Sequence, residues 1–282
     1  MEDGLEVCPV LGKGLGVMTT RSWQQGELLA MEQPIVMLKD GHNQDAEQRF
    51  CKKFSKFDPE TKLKLLALYD SGEGILNSSC DDDSSKAWRI FCSNTMEVGL
   101  EDNAGLENIA ALYPTLSRIN HSCQCNTYQS CSGMLRTVEI IAGRDLVKGE
   151  EVTLNYLGPA SILMSREERQ ARLSKGWFFT CSCNICSLQG EELQINQNIR
   201  NTLANFKEQI EYIISSPANY MNSKSDACKA LEEEKKKAAL MEKIAKAVVA
   251  ALGPECVFML KEELETTYFS FKKNMSDISY CL

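Results

Sequence analysis

Cys181-Ser182-Cys183-Asn184-Ile185-Cys186 places three thiols within six residues, and this density constrains the fold more than any other feature of the chain. Cysteines so close together pair among themselves only with difficulty, whereas this spacing offers three thiolates to one side of a tetrahedral zinc ion. A fourth ligand has to arrive from elsewhere. His121, Cys123, Cys125 and Cys131 share one upstream segment, and residue type alone does not choose among them. Metal binding requires reduced thiols. The 13 cysteines of the 282-residue chain are odd in number, and the acidic start Met1-Glu2-Asp3 is unlike a signal peptide. Both features fit the cytosol or nucleus better than a secreted disulfide framework. A chance grouping of inert thiols is the bland alternative.

Charge and hydropathy narrow the partners. The net charge of -8 argues against nucleic-acid binding through the whole surface and suits a lysine-rich peptide. No uninterrupted apolar run is long enough to cross a bilayer, so no membrane partner is expected. The basic run Lys235-Lys236-Lys237 follows Glu232-Glu233-Glu234, the pattern of a solvated helix face rather than a nuclear localisation signal. One domain with an appended part, acting as a monomer, is the expected organisation.

Along the chain, the first forty residues read as strands: Gly12-Lys13-Gly14-Leu15-Gly16, then Val17 to Thr19, Glu27 to Met31 and Ile35 to Leu38. Asp58 as N-cap with Pro59 at the first helical position opens a helix through Leu65, Leu66 and Tyr69 toward Gly72. Asn77 to Ser85 reads as a solvated loop, and Ala87 to Met96 as a second short helix. Leu135 to Ala142 and Val152 to Tyr156, rich in β-branched residues, read as strands. Ser165-Arg166-Glu167-Glu168 has the form of a capping box for a helix ending at Gly176. Beyond Cys186 the chain turns helical. Ile199, Leu203, Phe206, Ile210 and Ile213 fall on one face up to Ser216-Pro217, a second run leads from Asp226 to Gly253-Pro254, and a third carries Val257, Leu260, Leu264, Tyr268 and Phe271. The three are expected to pack as a bundle or against the preceding part.

Arg118-Ile119-Asn120-His121-Ser122-Cys123, Gly149-Glu150-Glu151-Val152-Thr153-Leu154-Asn155-Tyr156 and the cysteine cluster, in that order, resemble the signature of SET domains. The resemblance runs from about Gly12 to Cys186 and is densest after Ala111. Leu112 to Ser117 before the Asn-His pair, and Arg166 to Cys186 after the Tyr, are similar to the branch that combines SET with a MYND zinc finger. The finger itself is missing, because only Cys51 and Cys80 lie between Pro34 and Trp88. The resemblance implies an α+β chain: a SET fold of small curved sheets with a threaded pseudoknot, a zinc-bound post-SET segment and a C-terminal helical bundle. The implied divisions are a SET domain at 1–160 with a helical insert at about 45–110, a post-SET segment at 161–190 and a helical region at 191–282.

The implied function is S-adenosylmethionine-dependent N-methylation of a lysine on a histone or another protein, in the nucleus or cytoplasm. The alternative is a catalytically silent SET domain serving as an interaction scaffold. In the family, the turn residues matching Lys13, Gly14 and Leu15 hold the cofactor together with Asn120 and His121, an aromatic matching Phe179 packs on adenine, and Asn94 occupies a frequent cofactor-contacting position. Tyr156 matches the catalytic tyrosine, which also lies against the cofactor, and Trp177 matches a wall of the lysine channel. Cys123 would complete the zinc site with Cys181, Cys183 and Cys186. Taken without the family, a glycine turn, a core histidine, a packed Phe and a strand-end Tyr are each ordinary structural features. One departure stands out: Cys125 precedes Asn126 where the family usually has Pro, which leaves the rigidity of that turn open.

Overall fold

The computed structural model describes residues 3–41, 45–70, 83–102, 105–132 and 136–215. Its strands are β1 (Leu5–Val10), β2 (Gly14–Thr19), β3 (Leu28–Glu32), β4 (Val36–Lys39), β5 (Met96–Asp102), β6 (Gly105–Leu112), β7 (Asn120–His121), β8 (Thr127–Ser132), β9 (Thr137–Ala142) and β10 (Glu151–Leu154). Its helices are α1 (Ala46–Phe54), α2 (Pro59–Leu66), α3 (Asp83–Asn94), α4 (Arg166–Trp177) and α5 (Gly190–Ser215), with 3-10 turns at Leu116–Arg118 and Pro159–Leu163. Two compact units divide the chain: Met1–Leu154 with Leu173–Thr180, and Asn155–Arg172 with Cys181–Leu282.

The first unit is α+β, built on small sheets. β1 and β2 form an antiparallel hairpin. Its turn uses Gly12 and Gly14, both at φ 75°, a conformation that glycine adopts without steric cost. β10 joins β2 antiparallel, and the two-residue β7 joins β10 in parallel, giving the order β1-β2-β10-β7. This order brings the Asn-His pair to the same sheet as the glycine turn. Two further three-stranded sheets run β3-β9-β8 and β4-β6-β5. In β9 the burial alternates at Val138, Ile140 and Ala142, the period of a strand with one face packed.

The helical insert closes on the third sheet. Phe50, Phe54, Trp88, Ile90 and Phe91 bury against Val36, Leu38, Ala110 and Leu112. The Phe50 ring lies 4.7 Å from that of Phe91 and 5.4 Å from that of Trp88. Asp58 caps α2 as expected, its carboxylate accepting from Thr61 N at 2.9 Å, with Pro59 in the first turn. The helix stops at Leu66 rather than running through Tyr69. Its last bonds tighten, Leu68 N reaching back only to Leu65 O, and Tyr69 is left 63% exposed.

α3 begins earlier than the sequence indicated, so Asp83 to Ser85 form its first turn rather than a loop. It also ends earlier, because Met96 pairs with Ala111 at the start of the long β5–β6 ladder. β10 likewise ends at Leu154, short of Tyr156, where the chain breaks into a turn at Asn155. Gly72, residues 77–82, Leu135 and the helical runs beyond Ser215 lie outside the described residues.

The turn that lacks proline is held by side chains instead. Asn126, buried, accepts at Oδ1 from Thr153 N at 2.8 Å and from Thr153 Oγ1 at 3.0 Å, and donates to Glu151 O at 2.8 Å. The rigidity of this turn therefore comes from a satisfied buried amide.

In the second unit the capping box of α4 forms: Ser165 N donates to Glu168 and Glu168 N donates to Ser165 Oγ. Arg200 of α5, 2% exposed, donates to Ile162 O at 2.6 Å. This bond ties that helix to the 3-10 turn after Gly158.

Candidate functional site

The glycine turn, β7 and β10 meet around one carboxylate. Glu151 receives Lys13 Nζ at 2.6 Å and Asn120 Nδ2 at 3.0 Å, while Asn120 Nδ2 also donates to Leu15 O at 3.1 Å. Gly16 makes this approach possible, because a Cβ there would stand 2.7 Å from Asn120 Nδ2 and 2.6 Å from Val10 Cγ2. Leu15 is 47% exposed, so the turn that carries Lys13, Gly14 and Leu15 presents its backbone at the surface.

His121 is buried, with its ring 5.9 Å from that of Phe179 and Nε2 3.3 Å from Cys123 Sγ. Phe178 takes a left-handed backbone at φ 59° and points outward, 44% exposed. Phe179 and Trp177, on either side of it, are half-buried. Asn94 lies at the end of α3, where its side-chain amide donates to Ile90 O and Tyr69 O, both at 2.7 Å, and its backbone carbonyl accepts from Ser117 Oγ. Its side-chain donors therefore serve the helix terminus. Ser93 beside it bonds back to Arg89 O.

Tyr156 follows β10 by two residues and is half-buried. The turn that carries it is fastened by Asn155, whose Oδ1 accepts from Leu157 N and whose Nδ2 donates to Ser161 Oγ at 2.7 Å. Such an Asx-turn fixes the backbone on both sides of the tyrosine.

The sulfurs of Cys123, Cys181, Cys183 and Cys186 all lie within 4.8 Å of one another. Tetrahedral zinc with bonds of about 2.3 Å needs sulfurs about 3.8 Å apart, so the donor set and spacing fit that ion. Of the four candidates for the remaining ligand, Cys123 is the one that joins the group. Cys125 is buried outside it and Cys131 is exposed. The loop is shaped by α4, with Gln170 bonded to both backbone groups of Cys181 and Arg169 reaching the Cys186 sulfur.

A cavity of about 430 Å³ opens elsewhere in the first unit among β1, α2 and the Pro114–Arg118 turn, and none of the expected site residues lines it. No helix among the described residues is long and apolar enough to cross a membrane.

A SET domain family model matches residues 14–157, just over half of the 282 residues, and the chain belongs to the SET domain family. It is similar to Histone-lysine N-methyltransferase SET5 of Meyerozyma guilliermondii, 34% identical over 116 residues and 38% of this chain. It is also similar to Protein-lysine N-methyltransferase SMYD4 of Mus musculus, 41% over 75 residues and 27% of the chain. Histone-lysine N-methyltransferase SMYD3 of Homo sapiens is 36% identical over 93 residues and 32% of the chain. The chain spans 23%, 9% and 20% of the lengths of these relatives, respectively.

Sequence reasoning had missed Glu151, Arg169 and Gln170. Glu151 stands within the quoted Gly-Glu-Glu motif, so position pointed to it. The two α4 residues carried no signal, since their contacts exist only once the helix and the cysteine loop have folded.

Proposed function

We propose that this chain is an S-adenosylmethionine-dependent protein-lysine N-methyltransferase acting on histone or non-histone protein lysines. The observation that carries the reading is the shared sheet on which the turn at Lys13, Gly14 and Leu15 meets Asn120, with the His121 ring 5.9 Å from that of Phe179. The surface-exposed turn, the close approach at Gly16 and the Phe179 ring suit an amino acid head joined to a flat purine.

When bound, S-adenosylmethionine supplies a methyl group on a positive sulfonium. Lys13, Gly14, Leu15, Asn120 and His121 would hold it, and Phe179 would pack on adenine. Asn94 belongs to this set through its family position, its side-chain donors being occupied at the end of α3. Trp177 would wall the lysine channel. A substrate lysine must lose its proton first, which costs about 4 kcal/mol across roughly three pK units near neutral pH. An apolar channel lowers that cost by disfavouring the ammonium. Tyr156, on its Asn155-fastened turn, would lie against the cofactor and orient the neutral amine with its hydroxyl.

Cys123, Cys181, Cys183 and Cys186 would hold one structural zinc ion. Four thiolates close its coordination, leaving no position for catalysis. The domain reading follows: SET at 1–160 with an insert at about 45–110, post-SET at 161–190, and a helical region at 191–282. A monomer acting on protein substrates in the nucleus or cytoplasm completes it.

The test is transfer of a labelled methyl group to histones and to lysine-rich protein extracts. Tyr156→Phe is expected to lower turnover by about 100-fold or more with cofactor affinity nearly intact. Equal methylation by that variant removes Tyr156 from the mechanism.

A further inference from the structure

Two consecutive residues of α4 grip the two ends of the cysteine motif. Gln170 Oε1 accepts from Cys181 N at 2.8 Å and Gln170 Nε2 donates to Cys181 O at 2.7 Å, so both ends of the side-chain amide bond the first cysteine. Arg169 reaches the other end of the motif. Its Nη2 lies 3.6 Å from Cys186 Sγ and its Nη1 donates to Met164 O at 2.8 Å. It is 1% exposed and heads the fully buried side chains of the described residues by volume.

A guanidinium is costly to bury, and it persists in an interior where negative charge or strong acceptors surround it. Four thiolates around a divalent zinc ion carry a net charge of about -2, which is equally costly to bury alone. Each group offsets the desolvation of the other. Planar, permanently charged arginine suits such a place better than lysine, since one nitrogen can reach sulfur while another holds a backbone carbonyl.

We propose that Arg169 is the counter-cation of the zinc–thiolate centre and that, with Gln170, it forms a positioning pair on α4 holding the Cys181–Cys186 loop ready for metal. This rests on the zinc reading above. Outer partners of this kind typically change metal affinity by about 10- to 100-fold. The loop itself contains no strand or helix; its internal bonds run from Cys186 N and Ser187 N to Cys183 O, from Cys183 N to Cys181 Sγ at 3.5 Å and from Ser187 Oγ to Ser182 O at 3.1 Å. Its remaining order has to come from neighbours such as α4.

The experiment uses the full chain. Zinc content of the purified protein is measured first, and its absence overturns the zinc reading and the inference together. In zinc-loaded protein, release to a chelating dye is then timed for wild type, Arg169→Met, Arg169→Lys, Gln170→Ala and, as a control on the exposed face of the same helix, Arg172→Met. The inference expects release about 10- to 100-fold faster for Arg169→Met, a large recovery with Arg169→Lys, a smaller acceleration for Gln170→Ala, and no change for Arg172→Met.

Cobalt substitution adds a readout that packing alone would not move: the sulfur-to-metal absorption of Arg169→Met should shift while that of Arg172→Met stays. Wild-type release and an unshifted cobalt spectrum for Arg169→Met leave zinc in place and overturn the inference alone. If Arg169→Met does not fold, Arg169→Lys and Gln170→Ala decide. Release faster than wild type for the second, with release from the first slower than from the second, supports the inference; wild-type release for Gln170→Ala, or release from Arg169→Lys at least as fast as from Gln170→Ala, overturns it.

Discussion

The glycine turn with its Lys13–Glu151–Asn120 array and the cysteine loop after α4 are two ways of preparing a site. In the first, backbone pairing does the placing. β2, β10 and β7 bring the three residues together, and every charge in the array already has a protein partner. In the second, four sulfurs converge without a sheet, and the loop depends on side chains of α4 for its shape. The comparison teaches that a ligand site can be made rigid by secondary structure before anything binds, or can leave much of its stability to an ion. On the zinc reading proposed above, the ion would be a structural element in its own right.

The largest expected effect follows from removing the zinc ion that the proposed site would hold. Chelation should cost the cysteine loop on the order of 10 kcal/mol of binding free energy that counts toward folding. Amide exchange at residues 181–187 should rise sharply while β1 and β2 stay protected. Equal loss of protection in the hairpin breaks the contrast.

A smaller effect probes the sheet-held side. Gly16→Ala puts a methyl group 2.6 Å from Val10 Cγ2 and 2.7 Å from Asn120 Nδ2. Relief of those clashes should cost about 2 kcal/mol and displace Asn120 from Leu15 O. Thermal melting would read the first consequence and S-adenosylmethionine affinity the second, with zinc content unchanged. A variant as stable as wild type removes the close approach from the account.

The smallest effect concerns acid. Burial pushes the Glu150 carboxyl up, but hydrogen bonds from Arg144, Asn126 and Val147 N outweigh it and hold the group below its ordinary value of 4.5. A carboxyl depressed in the folded state contributes stability that is full above its unfolded value. That contribution is lost as pH falls through the lower folded value. Glu150→Gln should therefore flatten the acid limb of a stability–pH curve below about 4.5. An unchanged limb shows that other carboxyls set it.

The candidate site residues were legible in the sequence because they sit in short contiguous motifs: Asn120 and His121, the segment ending at Tyr156, and three of the four thiols. Local helix signals were also readable where a side chain satisfies its own terminus, as with Asp58 and the Ser165–Glu168 box. Boundaries set by distant pairing were not. Met96 was read as helix because its partner Ala111 lies fifteen positions away, and the β5–β6 ladder claims it. The choice of Cys123 over Cys125 and Cys131 rested on resemblance, since only folding brings its sulfur to the others. Asn126 replacing the stiffness of a missing proline was equally hidden, because its partner Thr153 arrives from β10.

The most direct test of the central claim is a calorimetric titration of S-adenosylmethionine into purified, zinc-replete protein. Saturable one-to-one binding, competed by S-adenosylhomocysteine and weakened by Asn120→Ala, is the expected result. No detectable heat and no competition would contradict a live cofactor site and leave the chain a SET scaffold without the transfer chemistry.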